Sequence, residues 1–488
     1  MAERRAKMVC TLGPASQDEG VIAALLDAGM DACRLNLSFG PPEDYESIIA
    51  KVRKVADAKG RSVAIIADLP GRKIRVGQLE GGKVDLLTGS VVTFQVDRGQ
   101  TGHPTLLPVD PAFFHENLIR GDQILLSDGL VELEVTATRA DEAEGRVLFG
   151  GVVAQSTGVH VPGMSVRGGL ITDEDLPYLK MAAAQKVDYL ALTYVTDGAD
   201  ILQARERLAD MGANIPIIAK IERSEAFSRL DGILMRADAI MVRRGDLGAQ
   251  IEVTRVPLVQ KEILRLAGLR GVPVIIATQM LGSMLNAPTP TRAEASDVSN
   301  AVVDGADGLL LSAETAVGKF PVESAQMMDR IIEETEKERF EAAPKQWTEA
   351  FDAPFADTTA RIACQAAQQT GARLIACFTE SGRTARLVAK YRPDVPVVAF
   401  CRNEDTRRRL QVVWGVDTCQ LTHAGNVEHM LHTVEELLMS RGQVRRGDRV
   451  VVVFGAPVGE KGKTNSVRLH EVGRLAATGD LEAPEGSE

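Results

Sequence analysis

Charged side chains follow two neighbouring apolar runs in the middle of the chain. The run IPIIAKIE (215–222) ends in Lys220 and Glu222, and the run DAIMV (238–242) is followed at once by RRGD, which ends at Asp246. Two carboxylates supply the hard oxygens that a divalent cation prefers, and a lysine beside them suits an anionic substrate. The alternative is that these are ordinary solvated charges at strand ends. The fold that positions these residues distinguishes between the two interpretations.

Apolar runs of strand length alternate with helical segments and predict a (β/α)8 barrel. An open, doubly wound sheet is the alternative, but that fold normally carries a glycine fingerprint after its first strand, where this chain reads TLGPAS. The predicted barrel strands are MVCTL (8–12), ACRLNLS (32–38), VAIIADL (63–69), DYLALT (188–193), IPIIAKIE (215–222), DAIMV (238–242), VPVIIAT (272–278) and GLLLS (308–312).

Polar residues recur at the same end of these predicted strands. The active sites of such barrels lie at the carboxyl ends of the strands, whereas a random distribution would place polar groups at both ends. The pattern therefore indicates an enzyme. The residues concerned are Arg34, Asn36, Asp68, Thr193, Lys220, Glu222, Arg244, Asp246, Thr278, Gln279, Ser312 and Glu314.

The strand and helix alternation divides the chain into domains. It stops over residues 76–158, where β-rich runs separated by turns predict a small inserted β domain, or lid, between the barrel segments 1–75 and 159–340. After a charged linker, residues 355–475 predict a second α/β domain with a mainly parallel sheet. The acidic tail 476–488 has no apolar periodicity and is expected to be disordered.

The composition excludes several classes of function. The chain has 488 residues and a net charge of −11, which argues against nucleic acid and anionic membranes as partners. Its six cysteines form no C-x-x-C pair and suit a reducing compartment. There is no apolar run of the ~18 residues that a membrane span needs, and no secretory signal, so we expect a cytoplasmic protein.

Several motifs resemble those of the pyruvate kinase family over essentially the whole chain apart from the tail. They include VCTLGPAS, IIAKIE, RRGDLG, ATQML, the long run PTRAEASDVSNAVVDGADGLLLSAETAVGKFP, and SGRTARLVAKYRP with GKTN. The resemblance implies transfer of a phosphoryl group from phosphoenolpyruvate to ADP, giving pyruvate and ATP. It also implies a barrel with an inserted small β-barrel domain and a C-terminal α/β domain, and a homotetramer.

The resemblance assigns roles to individual residues. Glu222 and Asp246 would hold Mg²⁺, with Mn²⁺ as an alternative. Arg34 and Lys220 would face the phosphoryl group, and the backbone amides of Gly245 and Asp246 would receive the substrate carboxylate. The remaining roles implied are Thr278, Ser312 and Glu314 in proton transfer, and Arg34, Asn36 and Arg75 at the nucleotide.

The nucleotide half of the pattern departs from that of the family. Phe39 stands where the family has a histidine, Glu174 where it has a lysine, and Thr196 where it has an arginine, while Arg243 replaces an alanine. Three functions remain open. The chain is an active kinase, a related protein that binds phosphoenolpyruvate or pyruvate with altered nucleotide use, or a regulatory metabolite-binding paralogue.

Two further sites follow from the resemblance. Many family members hold K⁺ at positions matching Asn36, Ser38, Asp68 and the carbonyl of Leu69, but those with a lysine at the position of Lys73 generally do not need it, so K⁺ independence is expected. The family also often binds a phosphorylated effector in the loop after a C-terminal strand, and the alternative is a plain strand-to-helix turn. The effector residues would be Thr379, Ser381, Gly382, Arg383 and Thr384.

Overall fold

The computed structural model describes residues 4–71, 74–110, 113–139, 141–162, 170–248, 250–338, 354–421, 427–456 and 463–474. The chain divides into two compact units, Met1–Ala342 and Ala343–Glu488. The first contains the barrel and the inserted β domain.

The first unit opens with three strands of the barrel and the helices between them. The Asp18 side chain accepts a hydrogen bond of 2.8 Å from Gly20 N and caps the first helix. Pro42 occupies the first turn of the second helix, where its missing N–H has no intrahelical partner to lose. These elements are β1 (Lys7–Leu12), α1 (Glu19–Asp27), β2 (Ala32–Asn36), α2 (Pro42–Ala58) and β3 (Ala64–Asp68).

The inserted domain is an antiparallel-rich sheet that nearly closes on itself. Its seven strands follow the order β12-β8-β9-β10-β6-β7-β4, and β11 and β5 form a separate pair. The two edges are joined because Val159 N donates to Ile74 O at 2.9 Å and Arg75 bridges Gly158. Its elements are β4 (Arg75–Val76), β5 (Lys83–Leu86), β6 (Val91–Val96), β7 (Leu106–Asp110), α3 (Phe113–Asn117), β8 (Gln123–Leu126), β9 (Val131–Thr138), β10 (Glu142–Phe149), β11 (Gly151–Ala154) and β12 (Val159–His160).

The chain then completes the barrel with five further strands. The closed order β1-β17-β16-β15-β14-β13-β3-β2 consists of parallel pairs, which confirms the predicted (β/α)8 barrel. The strands are β13 (Tyr189–Leu192), β14 (Ile217–Ile221), β15 (Ala239–Arg243), β16 (Val274–Ala277) and β17 (Gly308–Leu311). The helices are α4 (Leu176–Ala184), α5 (Gly198–Asp210), α6 (Ser224–Ser228), α7 (Leu230–Leu234), α8 (Arg244–Gly248), α9 (Val256–Arg270), α10 (Arg292–Val303), α11 (Ala313–Ala316) and α12 (Pro321–Lys337).

The register of the barrel strands brings the predicted polar residues to one end. Asn36 pairs with Asp68, so β2 and β3 end together. Ile221 pairs with Val242, which places the residues that follow each of them side by side. Because all the strands are parallel, the groups that follow their last residues gather at a single rim of the barrel.

The second unit is an α/β domain around a five-stranded sheet of order β20-β19-β18-β21-β22. All its pairs are parallel except β21 with β22, so the predicted mainly parallel sheet is confirmed. The two edge strands, β20 and β22, were not predicted. The elements are α13 (Phe355–Thr370), β18 (Leu374–Phe378), α14 (Arg383–Lys390), β19 (Val397–Cys401), α15 (Glu404–Arg409), β20 (Val416–Gln420), α16 (Val427–Ser440), β21 (Arg449–Phe454) and β22 (Ser466–Glu471).

All six cysteines are free and buried, as the sequence predicts. Burial raises the pKa of the Cys33 thiol to about 12, so this thiol stays protonated and unreactive at neutral pH. Over the described ranges, no helix has the length and apolar character needed to cross a membrane. The predicted disordered tail, 476–488, lies outside the described residues.

Candidate active site

Lys220 lies at the centre of the polar rim and is completely buried. Its Nζ donates to Asp68 Oδ1 at 3.0 Å and to Thr193 Oγ1 at 2.8 Å, and it lies 3.3 Å from Glu222 Oε1. The Thr193 hydroxyl donates onward to the carbonyl of Leu69 at 2.8 Å. These contacts fix the ammonium group in one position, so a positive charge is pre-organised at the carboxyl end of β14.

Arg34 contributes a second fixed cation from the neighbouring side of the rim. Its Nε donates to Asp68 Oδ2 at 2.6 Å, and its Nη1 donates to Thr11 Oγ1 at 3.2 Å. Asp68 therefore binds Arg34 through one oxygen and Lys220 through the other. Asp68 thus holds two cations in fixed positions, and fixed cations suit the binding of a phosphoryl group.

Glu222 and Asp246 lie on either side of the Arg243 guanidinium. Arg243 Nη1 donates to Glu222 Oε1 at 2.7 Å, and Nη2 lies 2.9 Å from Asp246 Oδ2. Burial alone would lower the pKa of Arg243, but Glu222 and Asp246 raise it above its ordinary value, so this arginine is charged at every relevant pH. Tyr194 N donates to the other oxygen of Glu222 at 2.8 Å.

The two carboxylates fit a divalent cation because one cation already lies between them. Their oxygens are the hard ligands that Mg²⁺ prefers, and Mg²⁺ commonly takes one or two carboxylates together with substrate oxygens and water. No cluster of three or more His, Cys, Asp or Glu side chains with metal-binding geometry occurs in the part of the chain that the structure describes. Glu222 and Asp246 are candidates for a metal site because both carboxylates contact the same cation.

Thr278 faces the start of the short helix α8 from the end of β16. Its Oγ1 accepts a hydrogen bond of 3.0 Å from Gly245 N, one of the amides assigned to the substrate carboxylate. The Thr278 backbone has φ of 71°, an uncommon conformation for a β-branched residue. Arg244 holds it by donating to Thr278 O at 2.8 Å. Such local strain, kept by a buried arginine, is typical of functional positions.

Ser312 and Glu314 lie together just after β17. Glu314 accepts from Ser312 N at 2.8 Å through one oxygen and from Leu281 N at 3.2 Å through the other. Glu314 is buried. No direct hydrogen bond joins either side chain to Thr278 among the described contacts, so a proton relay between them would need a bridging water or substrate.

The predicted nucleotide residues lie at the rim and at the start of the inserted domain. The Tyr45 hydroxyl donates to Asn36 O at 2.7 Å and accepts from Phe39 N at 3.2 Å, and the Phe39 side chain is 76 % exposed. Arg75 lies on β4 and donates to Ser156 O at 2.9 Å. A fully solvated phenyl ring at the rim cannot bind phosphate through hydrogen bonds or charge.

Glu174 adds negative charge at the same region of the first unit. The Tyr178 hydroxyl, on the helix that follows Glu174, donates to Gly40 O at 2.9 Å and so ties this segment to the loop of Phe39. Burial, then Asp97 and Glu174, raise the pKa of the Asp110 carboxyl above its ordinary value. Glu174 therefore places a negative charge beside Asp110 of the inserted domain.

The residues of the implied potassium site are also brought together. The side chain of Asn36 accepts weakly from Ser38 N at 3.5 Å, and the Leu69 carbonyl accepts from Thr193. The Ser38 hydroxyl is buried and has no hydrogen-bond partner among the described residues. Lys73, on which the expectation of K⁺ independence rests, lies outside the described residues.

The predicted effector loop of the second unit joins β18 to α14. Gly382 has φ of 80°, and an added Cβ would lie 3.2 Å from Leu410, so glycine is required there. Thr384 Oγ1 lies 2.7 Å from Thr464 Oγ1, while Ser381 and Arg383 are exposed. Thr379 is buried and donates its N–H to Phe400 O at 3.1 Å. The charge of Glu380 is partly offset by Arg402, 3.4 Å away.

Two residues of the rim escaped prediction. Thr11 accepts from Arg34, and Tyr194, whose φ is 59°, supplies the N–H that orients Glu222. Thr11 is a single hydroxyl in a mainly apolar strand, and such a residue carries no functional signal in the sequence. Tyr194 follows Thr193 at a strand end, and that position is the one sequence signal that could have found it.

Comparisons with known proteins agree with this geometry. A family model described as the barrel domain of pyruvate kinase matches residues 3–325, and one for its alpha/beta domain matches residues 357–470. A pyruvate kinase of Geobacillus stearothermophilus is 40 % identical over 98 % of this chain and 82 % of its own. One of Mycobacterium tuberculosis is 38 % identical over 96 % and 99 %. The crystal structure of a pyruvate kinase from Cryptosporidium parvum has a TM-score of 0.88 and 30 % identity, covering 96 % of both chains.

A closed parallel barrel with cations and carboxylates gathered at the carboxyl ends of its strands defines a barrel enzyme. With both family models matched in chain order, this chain belongs to the pyruvate kinase family, whose members are phosphotransferases.

Proposed function

We propose that this chain transfers the phosphoryl group of phosphoenolpyruvate to ADP and releases pyruvate and ATP. The observation that carries this proposal is the rim cluster in which Lys220 and Arg34 share Asp68 beside the Glu222–Asp246 pair. Phosphoryl transfer requires positioning and charge stabilisation more than covalent participation by the protein, and fixed buried cations supply both.

In the proposed reaction, the bond between phosphorus and the enol oxygen breaks and a bond from phosphorus to a terminal oxygen of ADP forms. Lys220, fixed by Asp68 and Thr193, would stabilise the charge that passes to the enolate oxygen. The enolate of pyruvate then takes a proton at its methylene carbon. Thr278, Ser312 and Glu314 are the candidate residues for that proton transfer.

The anionic ends of the substrate would contact other groups. Arg34 would face the phosphoryl group, and the amides of Gly245 and Asp246 at the start of α8 would bind the carboxylate in exchange for the hydroxyl of Thr278. Glu222 and Asp246 would hold Mg²⁺, or Mn²⁺ in its place, which when bound supplies positive charge to the phosphate and carboxylate oxygens. Asn36 and Arg75 would contact the nucleotide.

The other proposed properties rest on family membership and on the sequence. They are K⁺ independence, a homotetrameric assembly, a cytoplasmic location, and binding of a phosphorylated effector by the loop of Thr379, Ser381, Gly382, Arg383 and Thr384. The small residues of that loop, placed at the start of an eight-residue helix, support an anion at the effector position.

Altered use of nucleotide is the second candidate, and the exposed Phe39 together with Glu174 favours it. One assay distinguishes the two candidate functions. Pyruvate formation from phosphoenolpyruvate and Mg²⁺, coupled to lactate dehydrogenase, is measured with ADP, with GDP and without nucleotide. Turnover that requires ADP supports the kinase. Turnover with GDP alone supports altered nucleotide use, and no turnover by folded protein that binds phosphoenolpyruvate contradicts the proposed kinase.

A further inference from the structure

Arg243 occupies the space between the two proposed metal ligands because of the strand register. Ile221 pairs with Val242, so Glu222 and Arg243 follow at adjacent positions of neighbouring strands. Asp246 comes one helical turn after Arg243, which brings it to the other side of the same guanidinium. One planar cation thus contacts both carboxylates, at 2.7 Å and 2.9 Å.

Arg243 balances the charge of the ion pairs that the described residues form at the rim. Without Arg243, these ion pairs would leave an excess negative charge, which favours the entry of a divalent cation. With Arg243, the carboxylates and cations that they join are equal in number. The carboxylates are Asp68, Glu222 and Asp246, and the cations are Arg34, Lys220 and Arg243.

A metal ion and the guanidinium need the same carboxylate oxygens. Glu222 Oε1 already lies within 2.7 Å of Arg243 and 3.3 Å of Lys220. Of these two cations, Lys220 is fully buried, whereas the side chain of Arg243 is 17 % exposed and has a route to solvent. Arg243 is therefore the cation that can leave.

We propose that Arg243 is an internal counter-cation that closes the Glu222–Asp246 pair in the metal-free protein, and that a divalent cation binds there by displacing its guanidinium. This inference rests on the proposed metal role of the two carboxylates. It follows that the substrate-free protein binds divalent cations weakly, because each binding event must break the ion pairs of Arg243 with both carboxylates.

The test measures the binding of Mn²⁺ to substrate-free protein through the electron paramagnetic resonance signal of free Mn²⁺. We expect Arg243→Ala to bind Mn²⁺ at least about tenfold more tightly than wild type, because a competing unit charge is removed. The matched control is Arg265→Ala, which removes an arginine paired with Glu262 on the surface of α9 and should leave the affinity unchanged.

Two further measurements keep the inference testable if Arg243→Ala folds poorly. Arg243→Lys keeps the charge but replaces the planar guanidinium, which contacts the two carboxylates through two nitrogens, by a single ammonium, so its Mn²⁺ affinity should lie between those of wild type and Arg243→Ala. In the wild-type protein, Mn²⁺ should increase the modification of Arg243 by phenylglyoxal, measured by peptide mass spectrometry, by about threefold or more, because the guanidinium is released.

Unchanged or weaker Mn²⁺ binding by folded Arg243→Ala, or a reactivity of Arg243 that does not rise with Mn²⁺, would overturn the inference. Neither readout needs turnover. If wild type forms no ATP but Arg243→Ala binds Mn²⁺ more tightly, the proposed reaction fails and the inference stands. If wild type forms ATP while its Mn²⁺ affinity matches that of Arg243→Ala, the inference about Arg243 fails and the proposed reaction stands.

Discussion

The ammonium group of Lys220 lies 3.0 Å from Oδ1 of Asp68, and neither side chain is more than 1 % exposed to solvent. Breaking a buried ion pair from one side leaves the other charge without compensation. This pair therefore links the chemistry of the rim to the stability of the barrel, and substitutions at Lys220 should affect both.

Lys220→Gln should reduce phosphoenolpyruvate turnover by roughly 1000-fold, since it removes the fixed charge proposed to stabilise the enolate. It should also lower the free energy of unfolding by about 3–5 kcal/mol, because Asp68 loses a buried partner. Turnover is measured by the coupled assay and stability by urea denaturation. The double variant Lys220→Gln with Asp68→Asn should recover part of the stability and none of the turnover. Wild-type turnover in folded Lys220→Gln would contradict the proposed role.

Thr278→Val should lower kcat by roughly 100-fold, because it removes the hydroxyl proposed to act in proton transfer to the substrate. Thr278→Ser keeps the hydroxyl and should stay within about threefold of wild type. Steady-state kinetics of both variants, with circular dichroism as the control for folding, provide the check. A loss in Thr278→Ser with none in Thr278→Val would contradict this, because it would show that the methyl group, and not the hydroxyl, matters.

Glu174→Lys should lower the KM for ADP by about threefold to tenfold, because it replaces a negative charge by a positive one where a polyphosphate would bind. Phe39→His restores a hydrogen-bond donor and should act in the same direction. The KM for phosphoenolpyruvate serves as the internal control and should not change. A rise in the KM for ADP in both variants would mean that these side chains already assist nucleotide binding.

Replacing Na⁺ with K⁺ at constant ionic strength should change the wild-type rate by less than about twofold, since K⁺ independence is proposed on the ground that Lys73 would supply the positive charge. Lys73→Glu should make the rate rise with K⁺ by roughly tenfold. A several-fold activation of the wild type by K⁺ would refute K⁺ independence.

Asp31 lies at the opposite end of the barrel from the candidate site, so its substitution should affect stability and not turnover. Burial alone would raise its pKa, but Arg4, Lys7 and the Met8 amide lower it below the ordinary value. A lowered pKa stabilises the fold above the ordinary pKa, and that contribution is lost as the pH falls through the lowered value. Asp31→Asn should therefore destabilise the protein by about 3–5 kcal/mol at pH 7 and progressively less in acid, with unchanged turnover per folded molecule. Denaturation curves across pH test this; a pH-independent difference would contradict it.

The barrel strands could be predicted because each is a short, mainly apolar run, as is typical of buried parallel strands. The edge strands of the second unit's sheet could not be predicted from the sequence. The strand β20, VDTCQ, and the strand β22, SVRLHE, mix charged and apolar residues, and β22 is only partly buried. Such segments become strands through pairing with a neighbour, which the local pattern does not contain.

The sequence could predict which residues belong to the candidate site, but it could not predict the contacts among them. Lys220 and Glu222 come at the end of a predicted strand, and that position predicted them at the rim. The bridge made by Arg243 depends on the register of β14 against β15, and the bond between Thr278 and Gly245 depends on an uncommon backbone φ at Thr278. Neither register nor backbone strain can be read from residue types.

The most direct test is ³¹P nuclear magnetic resonance of wild-type protein mixed with phosphoenolpyruvate, ADP and Mg²⁺, with Lys220→Gln as the control. The proposed function predicts that the phosphoenolpyruvate resonance declines as the γ-phosphate resonance of ATP grows in equal amount, and that Lys220→Gln shows neither change on the same timescale. Release of inorganic phosphate without ATP, or an unchanged spectrum from folded wild type, would contradict it.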